Sequence, residues 1–231
     1  MMGKLTRDSM EGIIMPLKRN VSHLAIKFAF ILILAGCGQG SGTTASIDGG
    51  EPSGGMKKAD FDDARPTVRL RTSLGEMTIE LDPVNAPIAV DNFLGYVDRG
   101  KYDGTIFHQV VEGYMALGGG YDADLKERQA DFPIRNEAHR SGKNLRGTIA
   151  MARAPDAIDS ATNQFFLNLA DNPNLDHRDR TAADYGYCAF GKVVEGAGIL
   201  DKISSTTVTD QPDFAQIPTS PIVIESIRRV K

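Results

Sequence analysis

Tryptophan is absent from the 231 residues, and cysteine occurs only twice, as Cys37 and Cys188. One disulfide at most is possible, and thiolate-rich metal centres are excluded. Four histidines, His23, His108, His139 and His177, are scattered without ligand spacing, so no metal and no cofactor is expected. The longest apolar run, Phe28 to Ala35, falls well short of the ~20 residues that a membrane-crossing helix needs. No block of basic charge offsets a formal net charge of −4, which argues against a nucleic-acid partner. The run Gly118-Gly119-Gly120 has no Gly-Lys-Ser/Thr after it and reads as a turn, not a phosphate cradle. Ser160 and Thr162 lie near His177 without a nucleophile-elbow pattern, so a hydrolase is disfavoured.

What is present begins with an export signal. Lys18, Arg19 and Lys27 precede Phe28-Ala-Phe-Ile-Leu-Ile-Leu-Ala35, a length suited to a signal-peptide core. Leu34-Ala35-Gly36-Cys37 follows and resembles the lipobox of bacterial lipoproteins, in which the cysteine is lipidated and becomes the first mature residue. A plain secretory signal with a chance cysteine, or an uncleaved anchor, is the alternative, and Met15 is an alternative start. More than one acyl chain at Cys37 would meet the requirement for stable anchoring. Removal of residues 1–36 takes away Lys4, Arg7, Lys18, Arg19 and Lys27 with Asp8 and Glu11, leaving 21 basic against 28 acidic residues, or −7. The only other cysteine, Cys188, then reads as a small buried strand residue.

Residues 37–66 are dense in glycine, serine and acidic groups and cannot bury enough apolar surface to order themselves. They read as a spacer with a reach of roughly 30 Å. From Thr67 the pattern changes. Val68–Thr72 and Met77–Leu81 alternate apolar and polar groups around a Ser73-Leu74-Gly75 turn, as a hairpin does. Pro87 opens a helix with Ile88, Val90, Phe93, Leu94 and Val97 on one side, ending near Gly100. Further strands are expected at 106–111, 114–117, 148–152, 165–169, 188–193 and 222–230, with a second helix near 197–204. The segment 118–146 reads as surface loops. Many short strands with two helices predict a mainly β fold, a closed antiparallel eight-stranded barrel with capping helices.

Four segments carry the chemistry: Phe107 to Gly120 (FHQVVEGYMALGGG), Arg146 to Ala154 (RGTIAMARA), Asp159 to Asp176 (DSATNQFFLNLADNPNLD) and Tyr187 to Gly196 (YCAFGKVVEG). In order and spacing they resemble the cyclophilin family of peptidyl-prolyl cis-trans isomerases, over the whole region from residue 67 to 231. The resemblance implies a barrel with a groove that binds proline-containing polypeptides. It implies a proline-ring pocket of Tyr114, Met115, Phe166 and Leu175, with Tyr187 where many relatives carry histidine. Peptide anchors would be the backbone of Ala152, Arg153 and Ala154 and the side chain of Gln164. Read without the family, Met115 and Phe166 are ordinary core residues of strands.

Alternation turns Gln109 and Val111 to one face and His108 and Val110 to the other. His108 adjoins the site in sequence and is kept among the candidate binding residues, although it reads better as a packed, hydrogen-bonded histidine than as a base. Two positions depart from the family pattern. Gln109 stands where the family has the arginine that supports the proline nitrogen, and Leu117 stands where a glutamine is usual. These departures leave two readings open, an isomerase of lowered efficiency helped by Arg153 at the groove mouth, or a tethered proline-peptide binding module. Asn174 stands where cyclosporin-sensitive relatives carry tryptophan, which implies weak inhibition. A charged loop, His177 to Tyr185, is longer than the barrel requires and reads as a solvated border of the groove. A monomer is expected.

Overall fold

A computed structural model describes residues 65–230. The expected signal sequence, Cys37 and nearly all of the expected spacer lie outside the described residues. Among the described residues no helix is long and apolar enough to cross a membrane.

Among the described residues, ten strands and two helices follow in order. They are β1 (Thr67–Thr72), β2 (Gly75–Leu81), α1 (Pro87–Asp98), β3 (Thr105–Val111), β4 (Met115–Asp122), β5 (Thr148–Met151), β6 (Phe165–Asn168), β7 (Ala189–Glu195), α2 (Gly198–Ser204), β8 (Val208–Gln211), β9 (Phe214–Pro218) and β10 (Ile222–Arg229). Eight strands close into an antiparallel barrel in the order β1-β10-β3-β4-β6-β5-β7-β2, and β8 and β9 form a separate hairpin. The expected barrel and its two helices are therefore observed.

Alternation drives the closure. Val68, Leu70, Met77, Ile79 and Leu81 on β1 and β2, Phe165 and Leu167 on β6, and Phe190 on β7 all enter one interior cluster. Helix α1 delivers Phe93 to it, with ring centroids 5.3 Å from Tyr102, 5.6 Å from Phe165 and 5.1 Å from Phe190. Ile88, placed by its spacing on the apolar side of that helix, instead faces solvent, and Ala89 and Tyr96 are buried. Pro87 fits the first helical turn, where its missing N–H costs nothing. The N-terminus of α1 has no side-chain cap of its own; the buried Glu137 carboxylate accepts the Ala89 amide at 3.0 Å and satisfies a donor that would otherwise be orphaned.

Two expectations are corrected. The Gly118–Gly120 run is the middle of β4, not a turn, and the strand continues to Asp122. Glycine is required there by close approach: an added Cβ would lie 2.8 Å from the Phe107 ring at Gly118 and 2.7 Å from Gln164 at Gly120. The β8–β9 hairpin was not expected, because most of its residues are exposed or half-buried and it carries acidic groups and proline.

Candidate active site

Strands that fill the barrel with one set of side chains turn the other set outwards, and at one place the outward groups are apolar as well. Val111 of β3, Met115 and Leu117 of β4, Ala150 of β5 and Phe166 of β6 join Tyr114, Leu175, Tyr187 and Ala189 in a second buried cluster, with Ala152 packed against it. Phe165 points in and Phe166 out, as the two-residue repeat requires. Met115, Phe166 and Leu175 are the deeper groups, at 1%, 2% and 4% exposure, and Tyr114, Leu117 and Tyr187 form a slightly more open rim at 7–9%. Tyr187 meets the Phe166 ring edge-on at 5.7 Å.

Gln109 pairs with Leu117 and Val111 with Met115 across β3 and β4, so Gln109 lies on the face of this cluster. The strict alternation expected for its neighbours fails at one residue. Phe107 pairs with Gly118 and Gln109 with Leu117, so His108 is the extra residue of a bulge. It does not share the interior with Val110. Its ring lies against Tyr121 at 4.8 Å and Phe214 at 6.1 Å, beneath the β8–β9 hairpin and outside the apolar cluster. Burial holds its pKa down to about 4, against a smaller opposing effect of a hydrogen bond with the Ile106 backbone. Nδ1 has no hydrogen-bond partner, so the expectation of a hydrogen-bonded histidine is met at one nitrogen only.

Gln164 is half-buried immediately before β6, with its side chain laid across Gly120. Its carbonyl accepts the Ala152 amide at 3.0 Å, which joins the two expected peptide anchors. The Ala154 amide donates to Ser160 Oγ at 2.8 Å, so this part of the anchor is held within the protein. Arg153 does not reach across the groove mouth. Its guanidinium is buried and donates to the carbonyls of Ala154, Pro155, Ala182 and Gly186.

A set of buried asparagines underlies the cluster, of which Asn144 and Asn172 resemble ordinary loop residues in the sequence and Asn168 ends β6. Asn144 Nδ2 donates to the carbonyls of Leu175 and Tyr187 at 3.1 and 3.2 Å, and its oxygen accepts from Asn168. Asn172 Nδ2 donates to the Tyr114 carbonyl at 2.9 Å and to Asn168 Oδ1 at 2.7 Å. Tyr114, Leu175 and Tyr187 are thus fixed from below by directional bonds. Asn174, at the position of the family's tryptophan, donates to the Tyr114 hydroxyl at 3.1 Å.

This is the setting in which the comparisons fall. The sequence matches the model of the cyclophilin type peptidyl-prolyl cis-trans isomerase family over residues 67–229. The chain belongs to the cyclophilins. It is 47% identical over 164 residues to peptidyl-prolyl cis-trans isomerase A of Dickeya dadantii, covering 71% of this chain and 84% of that protein. It is 39% identical over 160 residues to peptidyl-prolyl cis-trans isomerase B of Escherichia coli, covering 69% and 97%. Among solved structures, a Cryptosporidium parvum cyclophilin type isomerase crystallised in the presence of the dipeptide Ala-Pro is similar at 25% identity with a TM-score of 0.57, over 71% of this chain and 99% of that one.

Two further groups of this cyclophilin bear on its chemistry. The fold brings His139 and His177, scattered in the sequence, to a ring separation of 6.3 Å, yet among the described residues no group of three His, Cys, Asp or Glu could hold a metal ion. Cys188 is buried, and burial, with the Glu137 charge adding to it, pushes its thiol up to about 12, which makes it a packing group and not a nucleophile.

Proposed function

We propose that this chain is a peptidyl-prolyl cis-trans isomerase that assists protein folding in the bacterial cell envelope, held to a membrane by lipid on Cys37. The observation that carries the activity is the outward apolar cluster of Met115, Phe166 and Leu175 beside the paired Gln109 and Leu117. Rotation about an X-Pro bond breaks amide resonance against a barrier near ~20 kcal/mol without making or breaking any bond to a heavy atom. A catalyst needs only to grip the ring, hold the flanking peptide, and favour the twisted amide over both planar forms. Tyr114, Met115, Phe166 and Leu175 supply the grip, and Gln164 with the 152–154 segment supplies the hold.

The donor to the proline nitrogen is Gln109. A charged donor contributes about 1.5–3 kcal/mol and a neutral one about 0.5–1.5, so an amide in place of a guanidinium lowers the rate about five- to thirtyfold. The Gln109–Leu117 pair also favours a second reading, a tethered proline-peptide binding module or holding chaperone with little catalysis. An isomerisation assay separates them. Gln109→Arg is expected to raise the rate, and Phe166→Ala to abolish turnover and peptide binding together. Binding without acceleration by the natural protein decides for the module, and the absence of both removes the site. Anchoring is tested by Cys37→Ser, which moves the protein from the membrane to the soluble fraction if Cys37 carries the lipid.

A further inference from the structure

Arg153 is a buried cation for which the proposed catalysis has no direct use. It is 5% exposed and makes no ion pair with a carboxylate among the described residues. Instead its planar head serves four neutral acceptors. Nη1 donates to the carbonyls of Ala154 and Pro155 at 2.8 and 3.1 Å, Nη2 to that of Ala182 at 2.6 Å, and Nε to that of Gly186 at 3.0 Å. The same guanidinium lies over the Tyr187 ring, 4.9 Å from its centroid. Three pieces of the groove therefore meet on one side chain: the 154–155 backbone that follows β5, the charged 177–186 loop, and the aromatic rim.

Burying a charge is unfavourable unless its donors are satisfied, and packing alone would be served by an apolar side chain. What an arginine adds is a rigid fork that fixes several acceptors relative to one another. The loop end is held tightly. Gly186 sits at φ +79°, and a Cβ there would fall 2.5 Å from the His177 amide. Asn136 Nδ2 gives the Gly186 carbonyl a second donor at 3.0 Å, and the Tyr187 amide donates to the Leu175 carbonyl at 2.9 Å. A shift of Gly186 thus moves Tyr187, and Tyr187 moves with Leu175.

We propose that the Arg153 side chain is a positioning group that sets the width of the proline pocket, by clamping the Tyr187 rim and the 177–186 loop to the peptide-anchoring segment without its guanidinium touching substrate. This rests on the groove being the proline-peptide site. Lysine keeps the charge and the apolar stem but has no fork, so Arg153→Lys is the informative change. In the full-length protein its Kd for a fluorescently labelled proline peptide, read by anisotropy, is expected to rise five- to tenfold. KM should rise in parallel, while kcat stays within twofold. Tyr187→Leu should weaken binding similarly, and the double variant should be no weaker than the worse single one, because both changes release the same rim.

Asn136→Ala, which removes the other donor on Gly186, is expected to raise Kd two- to threefold without altering the cation. An unchanged Kd in Arg153→Lys, or in Asn136→Ala if the lysine variant does not fold, overturns the inference. So do effects of Arg153→Lys and Tyr187→Leu that multiply. Failure of the underlying reading looks different, because the natural protein then binds no proline peptide at all and the inference falls with it.

Discussion

The barrel wall carries two apolar surfaces back to back, and they rest on different foundations. The inner one rests on rings: Tyr102 and Phe165 meet edge-on at 5.2 Å, and Phe107 meets Phe165 at 6.0 Å. The outer one rests on amides: Asn144 and Asn172 donate to the backbone carbonyls of Leu175, Tyr187 and Tyr114, and Asn168 links the two side chains. A surface enclosed on all sides keeps its shape by packing density alone. A surface that must admit a ligand has no cover to press against, so its shape is held by hydrogen bonds with direction.

Neighbouring phenylalanines break the comparison most forcefully. Phe165→Ala opens a hole in the interior and is expected to cost about 3–5 kcal/mol, read as a lower midpoint in chemical denaturation. Phe166→Ala should cost less, because the hole it leaves opens at the more exposed rim of Tyr114, Leu117 and Tyr187, while it removes peptide binding. Equal stability losses in the two variants would show that the surfaces are one core.

Next in size is the bulge in β3. His108 has a folded pKa of about 4 against an ordinary 6.5, so between those values the unfolded chain binds the extra proton. The associated stability is complete above about pH 6.5 and is lost as pH falls towards 4, by an amount on the order of 3 kcal/mol. His108→Phe, which keeps the contact with Tyr121 and Phe214, should flatten that stretch of the stability–pH curve. A curve with the same slope in both proteins would assign the proton to another group.

The smallest effect on folding belongs to the amides. Asn144→Ala leaves the Leu175 and Tyr187 carbonyls short of a donor, at about 1–3 kcal/mol, and should lower kcat/KM by more than the stability change explains. Loss of stability with an unchanged kcat/KM would leave the network as scaffold only.

Much of this was legible in the sequence because alternation is a strong signal: Phe165 and Phe166, or Ala116 and Leu117, announce two faces without any contact being known. The convergence of Tyr114, Met115, Phe166 and Leu175 on one outward cluster was legible through family motifs. What escaped had a physical reason. The glycines of β4 look like punctuation, since a residue without a side chain says nothing about what rests on it. Arg153 was expected at the groove mouth, because the acceptors that turn it inwards, Ala182 and Gly186, lie about thirty residues further on. The buried asparagines are chemically identical to those that cap turns, and only their enclosure distinguishes them.

The bulge in β3 has a consequence for the architecture. Because Phe107, Gln109, Val110 and Val111 would keep their sides of the wall in a strand shortened by His108, that residue is surplus to the barrel's own register. Its contacts with Tyr121 and Phe214, beside the direct Tyr121–Phe214 ring contact at 5.0 Å, help to fasten the β8–β9 hairpin, so a residue that the barrel itself does not need serves the accessory.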